Sequence, residues 1–180
     1  MEEIIFQQLK NELINGSVKK GHPFKYFGLS TVMEGQPQAR TVVLRKTLPD
    51  LRTIFFTDKR SHKMAALAQN DKVTALFYHP KKLLQLQILG RAAPITDSVR
   101  LAELWNGVPP KARKDYTTFQ PPGTPLSTTG EIKYLEEGHH FAALEIIPHT
   151  IAYLQLQRPQ HQRLVFTRIG QEWKGTLLVP

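Results

Sequence analysis

Ile5, Leu9 and Leu13 recur at every fourth position with mostly polar residues between them, which is the spacing of an amphipathic helix over residues 2–14, with Gly16 as its end. From residue 24 the pattern changes. Runs rich in β-branched, aliphatic and aromatic residues occupy 24–33, 38–47, 51–57, 72–79 and 83–94, and turn residues separate them, among them Glu34-Gly35-Gln36-Pro37 and Leu48-Pro49-Asp50. Each run is a predicted strand, and the first two form a hairpin. A short helix is expected over 61–69, with Met64, Leu67 and Ala68 facing inward. Another is expected over 97–106, capped by Asp97. Pro109 opens a further helical stretch to Tyr116, because proline suits a first turn. Residues 119–130 (FQPPGTPLSTTG) carry no periodicity and read as an irregular surface arm or lid. Strands at 140–147, 150–155, 164–169 and 173–179 complete the chain.

Many strands joined mostly by short turns, with few helices, predict a mainly β fold with peripheral helices, its antiparallel sheet closing into a barrel. Strands do not alternate with helices and no Gly-x-Gly-x-x-Gly occurs, which argues against a dinucleotide-binding α/β domain. With no internal repeat and no linker, residues 1–180 are expected to form one domain. The first residues are acidic, no leader pattern follows, and no apolar run reaches membrane-spanning length. A cytoplasmic protein without membrane association is the expectation.

Charge and composition narrow the chemistry. The formal charge is +9 and the isoelectric point about 9.9, which asks for an acidic partner. The bases are dispersed, and the only adjacent lysine pairs are Lys19-Lys20 and Lys81-Lys82. A phosphorylated small molecule uses such charge more locally than a nucleic acid, for which only Phe77-Tyr78 beside Lys81-Lys82 speaks. The absence of cysteine excludes disulfides, iron–sulfur clusters and thiolate zinc sites. The seven histidines show no His-x-His or His-Glu-x-x-His spacing, so no metal site is expected.

The densest chemistry lies between Arg40 and Lys63. Two apolar runs, Thr41-Val42-Val43-Leu44 and Thr53 to Phe56, are bracketed by Arg40, Arg45, Arg60 and Lys63. The second run leads through Thr57 and Asp58 to Ser61, a good helix N-cap, followed by His62 and Lys63. A helix start offers free N–H groups and positive potential, and so holds phosphate well. A lysine in a first turn is unfavourable for an isolated helix but sensible beside an anion. An ordinary cap with solvated cations accounts for these residues equally well. Arg40 and Arg45 are five apart, so a regular strand puts them on opposite faces, roughly 16 Å apart at about 3.3 Å per residue. Gln85 and Gln87 alternate with Leu84, Leu86 and Ile88. That strand has one apolar face and one amide face, suited either to the edge of a heterocyclic ring or to solvent. His161 and Arg163, two apart, share a face if extended.

Taken in order, Arg40-Thr41-Val42-Val43-Leu44-Arg45, Phe56-Thr57, Ser61-His62-Lys63, Gln85 on a strand ending at Gly90, and His161-Gln162-Arg163 before a final strand with Trp173 resemble pyridoxamine 5′-phosphate oxidase and its FMN-binding split-barrel relatives. The resemblance runs over most of the chain. It implies an antiparallel split β-barrel that forms a homodimer with FMN at the interface. Arg40 and the strand through Arg45 would line FMN, Phe56 and Thr57 would sit against it, and Ser61 and Lys63 would hold its phosphate. Gln85 and Arg163 would reach FMN from the partner subunit, and Arg45 and Arg163 would tune the ring. His161 would contact substrate. The oxidases usually carry Arg where this chain has His62, and Arg60 is expected to supply that charge.

The chain departs from the oxidases where they hold substrate. Their Tyr-x-x-x-Arg-x-x-x-Ser motif is absent from LAELWNGVPPKARKDY, and Pro159-Gln160-His161 stands in place of Arg-Leu-His. The sequence is closer to an oxidase-related branch with Thr-Asp-x-Arg-Ser-x-Lys (Thr57 to Lys63) and a Pro-Pro-Gly-Thr-Pro loop (Pro121 to Pro125). An FMN-dependent oxidoreductase of unknown small-molecule substrate is the leading expectation. A genuine pyridoxamine or pyridoxine phosphate oxidase and a non-catalytic flavin-binding protein are the alternatives.

Overall fold

In the computed structural model, which describes residues 1–127 and 132–180, nine strands form one antiparallel sheet. They are β1 (Tyr26–Met33), β2 (Gln36–Val43), β3 (Lys46–Thr47), β4 (Thr53–Asp58), β5 (Lys72–His79), β6 (Leu84–Pro94), β7 (Phe141–Gln155), β8 (Gln162–Ile169) and β9 (Glu172–Leu178). The order across the sheet is β2-β1-β5-β6-β7-β4-β3, with β8 on β7 and β9 on β8. β2 and β3 are consecutive in the chain yet stand at opposite ends of that path. Leu44 and Arg45 carry the chain across: Leu44 N donates to Lys25 O (2.9 Å) and Arg45 N to Ile54 O (2.8 Å). The sheet therefore curls into a half-barrel, the mainly β architecture expected from the sequence.

Alternation along the strands fills the interior. Phe27 and Leu29 of β1, Val73, Ala75 and Phe77 of β5, and Leu84, Leu86 and Ile88 of β6 are all buried. Helix α1 (Glu2–Val18) covers this core with Ile5, Leu9 and Leu13, and α2 (His62–Gln69) packs against β1. A second apolar cluster lies where α3 (Ser98–Asn106) and α4 (Pro110–Arg113) meet Ile54, Phe141 and Ala143.

Several expected boundaries shift for physical reasons. α1 runs past Gly16 to Val18, because Gly16 marks a close approach: a Cβ there would lie 2.6 Å from Phe24 Cβ. The expected strand 38–47 is divided at Leu44–Arg45, where its hydrogen-bond partners change. On α2 it is Ala66, with Leu67, that is buried, while Ala68 is exposed. The expected strands 140–147 and 150–155 are one strand, β7, whose first half pairs with β4 and second half with β8. Asp97 caps α3 as expected, its Oδ1 accepting from Arg100 N (2.7 Å). Residues 128–130 of the expected irregular arm lie outside the described residues. Among the described residues no helix is long and apolar enough to cross a membrane.

Candidate functional site

β4 ends in a tight turn that presents three polar groups together. Asp58 organises the turn: its Oδ1 accepts from Arg60 N (2.8 Å) and its backbone O from Ser61 N (3.0 Å). α2 then starts at His62 with Ser61 in the N-cap position, its φ of −68° and ψ of 150° in the extended region as a cap requires. The Ser61 hydroxyl does not cap the helix. It lies 3.1 Å from Thr57 Oγ1, and Lys63 Nζ donates to Thr57 Oγ1 (2.8 Å) and Ser61 Oγ (3.3 Å). Two hydroxyls and an ammonium thus converge at the head of a helix that has no acidic residue in its first turn.

Arg40 faces this group from β2. Its Nη1 donates to Thr31 Oγ1 (2.7 Å) and Leu29 O (3.3 Å), and its Nη2 to Gln38 Oε1 (3.1 Å). Burial holds the Arg40 pKa below its ordinary value. Burial also lowers the Lys63 pKa, and the Arg40 charge lowers it further, with Asp58 opposing. Neither cation makes a carboxylate ion pair among the described residues. Two partly desolvated cations that repel each other, one of them on two hydroxyls, form a site that an anion would stabilise.

The remaining sequence-predicted residues fall into three places. Val42 and Leu44 are core, Val43 is half-buried and Thr41 exposed. Arg45, at the crossover, lies over the Phe56 ring (5.2 Å), and its buried Nε has no hydrogen-bond partner. It also neighbours Tyr116, whose phenol pKa burial raises and the Arg45 charge opposes. Gln85 stands opposite Leu154, and Leu154 opposite Arg163, so these residues form one row across β6, β7 and β8, outside the core. His161, just before β8, is exposed and accepts from Gln157 N at Nδ1 (3.1 Å).

Arg60 makes contacts that the sequence did not suggest. Its Nε and Nη2 grip Asp58 (3.0 and 2.7 Å), while Nη1 donates to Phe119 O and Nη2 to Thr118 O (both 2.9 Å). Burial alone would raise the Asp58 pKa, but the Arg60 hydrogen bonds and charge hold it below the ordinary carboxylate range. Arg60 is therefore neutralised by a carboxylate that is 3% exposed at its side chain, and it ties the 118–119 segment to the β4 turn instead of joining Lys63. His62 is exposed and lies against the loop that follows, since a Cβ on Gly123 would sit 3.2 Å from its Nε2. Arg60→Ala is accordingly expected to raise protease cleavage within 117–127 by about tenfold. Unchanged cleavage would show that Arg60 does not hold this segment.

Sequence reasoning missed Thr31, Asp58 and Tyr116. Asp58 had a local signal, an aspartate two residues before an arginine within a turn. Thr31 and Tyr116 reach Arg40 and Arg45 only through tertiary contacts.

Comparison with known proteins places this chain in a family. A profile described as "Pyridoxamine 5'-phosphate oxidase, FMN-binding domain" matches residues 3–96, just over half of the chain. The pyridoxine/pyridoxamine 5′-phosphate oxidase of Granulibacter bethesdensis is 28% identical over 165 residues, covering 81% of this chain and 76% of its own. The Thermosynechococcus vestitus enzyme of the same description is 28% identical over 166 residues, covering 84% and 77%. Among solved structures, a pyridoxamine 5′-phosphate oxidase-related, FMN binding protein from Nostoc punctiforme superposes with a TM-score of 0.81 at 24% identity, over 97% of both chains. PhzG from Burkholderia lata, solved with tetrahydrophenazine-1-carboxylic acid, gives 0.79 at 23% identity, over 98% of this chain and 92% of its own. These two structures share the fold.

Proposed function

Because the chain belongs to the pyridoxamine 5′-phosphate oxidase FMN-binding domain family, we propose that it binds FMN and acts as an FMN-dependent oxidoreductase on a small-molecule substrate. The observation that carries this reading is the desolvated Lys63 ammonium on the Thr57 and Ser61 hydroxyls, repelled by the partly buried Arg40 charge. They fit a phosphate: two charged donors and two hydroxyls with no carboxylate between them. FMN would supply the electron chemistry, and the chain would supply binding, orientation and positive charge. Arg45, with a buried nitrogen still lacking a partner, is suited to the ring end. The test is a visible absorption spectrum of the purified protein, before and after adding FMN. Flavin bands that sharpen or shift on binding are expected, and a protein that leaves the FMN spectrum and fluorescence unchanged refutes the reading.

The register supports a dimeric site. Thr57 pairs with Ala142 on β7, whereas Gln85 and Arg163 flank Leu154, twelve residues further along (142 to 154). Twelve residues of extended strand span roughly 40 Å, too far for one mononucleotide to touch both ends. If Gln85 and Arg163 contact FMN held at Lys63, a second copy must bring them. Mixing a Lys63→Met chain with a Gln85→Ala/Arg163→Ala chain should then regenerate some intact sites, so flavin binding rises above that of either variant alone. Mixtures that only average the two variants would place each site within one chain.

The substrate reading favours something other than pyridoxamine phosphate. Arg113, in the region where the oxidases carry their substrate motif, donates to Val108 O (3.1 Å) and Asn106 O (3.2 Å) and lies over the Trp105 ring (5.1 Å). Its guanidinium serves the α3–α4 packing. An assay for pyridoxal phosphate formation decides the point, with no turnover expected.

A further inference from the structure

α1 carries a charge where its pattern calls for an apolar residue. Ile5, Leu9, Leu13 and Gly16 face the barrel, and Glu12 lies among them, only 7% exposed. Burying a carboxylate is costly unless it is paired. Groups from two other elements meet it. Lys82 Nζ donates to Glu12 Oε1, and His22 Nε2 lies 3.3 Å from Oε2, though not aligned as a hydrogen bond. The His79 ring, 8% exposed, stands edge-on to His22 with centroids 5.5 Å apart, so that Glu12, His22 and His79 bring ligand-type atoms within 4.8 Å of one another.

A divalent metal is the obvious occupant, and the histidine hydrogen bonds argue against it. His22 Nδ1 accepts from Phe24 N (3.1 Å), and His79 Nδ1 accepts from Lys82 N (3.3 Å). An Nδ1 that accepts carries no proton, so each neutral ring holds its proton on Nε2 and has no lone pair there for a metal. Lys82 already supplies a fixed cation to the carboxylate.

We propose that Glu12, His22, His79 and Lys82 form a proton-sensitive latch that fastens α1 and the turn at 80–83 to the barrel and opens on acidification. With both rings neutral, the cluster holds one negative and one positive charge. A proton taken up by His22 adds a second cation against the Phe24 ring, facing Lys82 and the His79 ring. Tyr153 does not relieve it: burial and the Glu12 charge push its phenol up to about 12, and its OH donates to Gln155 Oε1 (2.6 Å). Gln155 in turn donates to Lys82 O (3.4 Å). The turn is held in an unfavourable shape, with Leu83 at φ 47°, a left-handed conformation that non-glycine residues avoid. Opening the latch lets it relax.

The direction of the pH dependence follows from His22. Burial lowers its pKa below the ordinary 6.5, His79 and Lys82 lower it further, and Glu12 opposes. The open form therefore takes up its proton near pH 6.5 while the closed form lags behind. Closure is complete at neutral pH and above. It is lost as pH falls below that value, by up to about tenfold per pH unit. This reading is independent of the FMN assignment.

Hydrogen exchange of the full chain, followed by mass spectrometry and corrected for intrinsic rates, tests it. Between about pH 7.5 and about pH 5.5, protection of α1 and of residues 80–83 is expected to fall several-fold, up to about tenfold, while strands β5 and β6 change less. In a His22→Gln/His79→Gln chain that pH dependence should vanish, and parallel profiles in the two proteins overturn the latch. Should the double variant fail to fold, imidazole nitrogen NMR on the unaltered chain decides. Both rings are expected as Nε2–H tautomers near neutral pH. Nδ1–H tautomers, or stoichiometric binding of zinc or cobalt that shifts these two rings, would overturn the latch in favour of a metal site.

Discussion

Replacing Lys63 with methionine is expected to leave the ligand-free protein as stable as before or more so, while weakening FMN binding by about ten- to a hundredfold. The two halves of this result have one cause. The Lys63 ammonium is desolvated and repelled by Arg40, and so its pKa is lowered. A lysine whose folded pKa is depressed costs stability at every pH below that value, where it is charged in both states, and the cost fades only as pH rises through the ordinary lysine range. Methionine removes the charge and keeps an unbranched chain of similar length. The Thr57 and Ser61 hydroxyls lose a donor but keep each other at 3.1 Å. With FMN present the balance reverses, because a charge-assisted hydrogen bond to phosphate is worth about 1.5–3 kcal/mol. Thermal unfolding with and without FMN, together with calorimetric titration, reads both halves. In the unaltered chain, affinity should begin to fall at a pH below the ordinary lysine range. A methionine variant that melts lower without ligand and binds FMN unchanged would make Lys63 a structural residue and remove the main support for the proposed function.

Much of this site is local and could be read from the chain. The apolar run Thr53 to Phe56, the turn after it and the start of α2 depend on neighbours in sequence, so pattern and capping rules found them. Three features depended on contacts that pattern does not carry. The stretch from residue 38 to 47 looks like one strand because its apolar character is continuous, yet its hydrogen-bond partners change at Leu44 and Arg45. Periodicity reports which way side chains face and is silent about which strand lies alongside. The same break explains Arg40 and Arg45: a crossover between two sheet edges separates them, so the Arg40 charge acts on Lys63 while Arg45 lies over Phe56. Gly16 read as a helix stop, but a glycine needed for close approach to Phe24 looks identical in sequence. Arg60 shows a different gap. Counting cations along the chain ignores the carboxylate two residues away, and Asp58 pairs with that charge.

Gly90→Ala is expected to destabilise the protein by about 3 kcal/mol or more, lowering the melting temperature by roughly 6–12 °C for a chain of this size. Gly90 sits where the β6–β7 ladder shifts register, opposite Pro148, which has no N–H to give. A Cβ at Gly90 would overlap the Ile147 carbonyl and stand 3.1 Å from Pro148 Cα, so backbone atoms are in the way and no side chain can swing aside. Gly28→Ala on β1 is the control. Its Cβ would meet Leu76 at 3.9 Å, an ordinary contact, and a cost within about 0.5 kcal/mol is expected. Equal losses at the two positions would show that the Gly90 contact is not the source of strain. The register shift matters beyond stability. It falls between the half of β7 that pairs with the Thr57 strand and the half that carries the Gln85–Leu154–Arg163 row. If the alanine chain escaped the clash by slipping β6 one residue along β7, Gln85 and Gln87 would turn into the core and Leu84, Leu86 and Ile88 out of it. The same substitution therefore probes whether the two proposed halves of the cofactor site keep their separation. A folded Gly90→Ala protein that retains FMN affinity would mean that the bulge contributes stability alone.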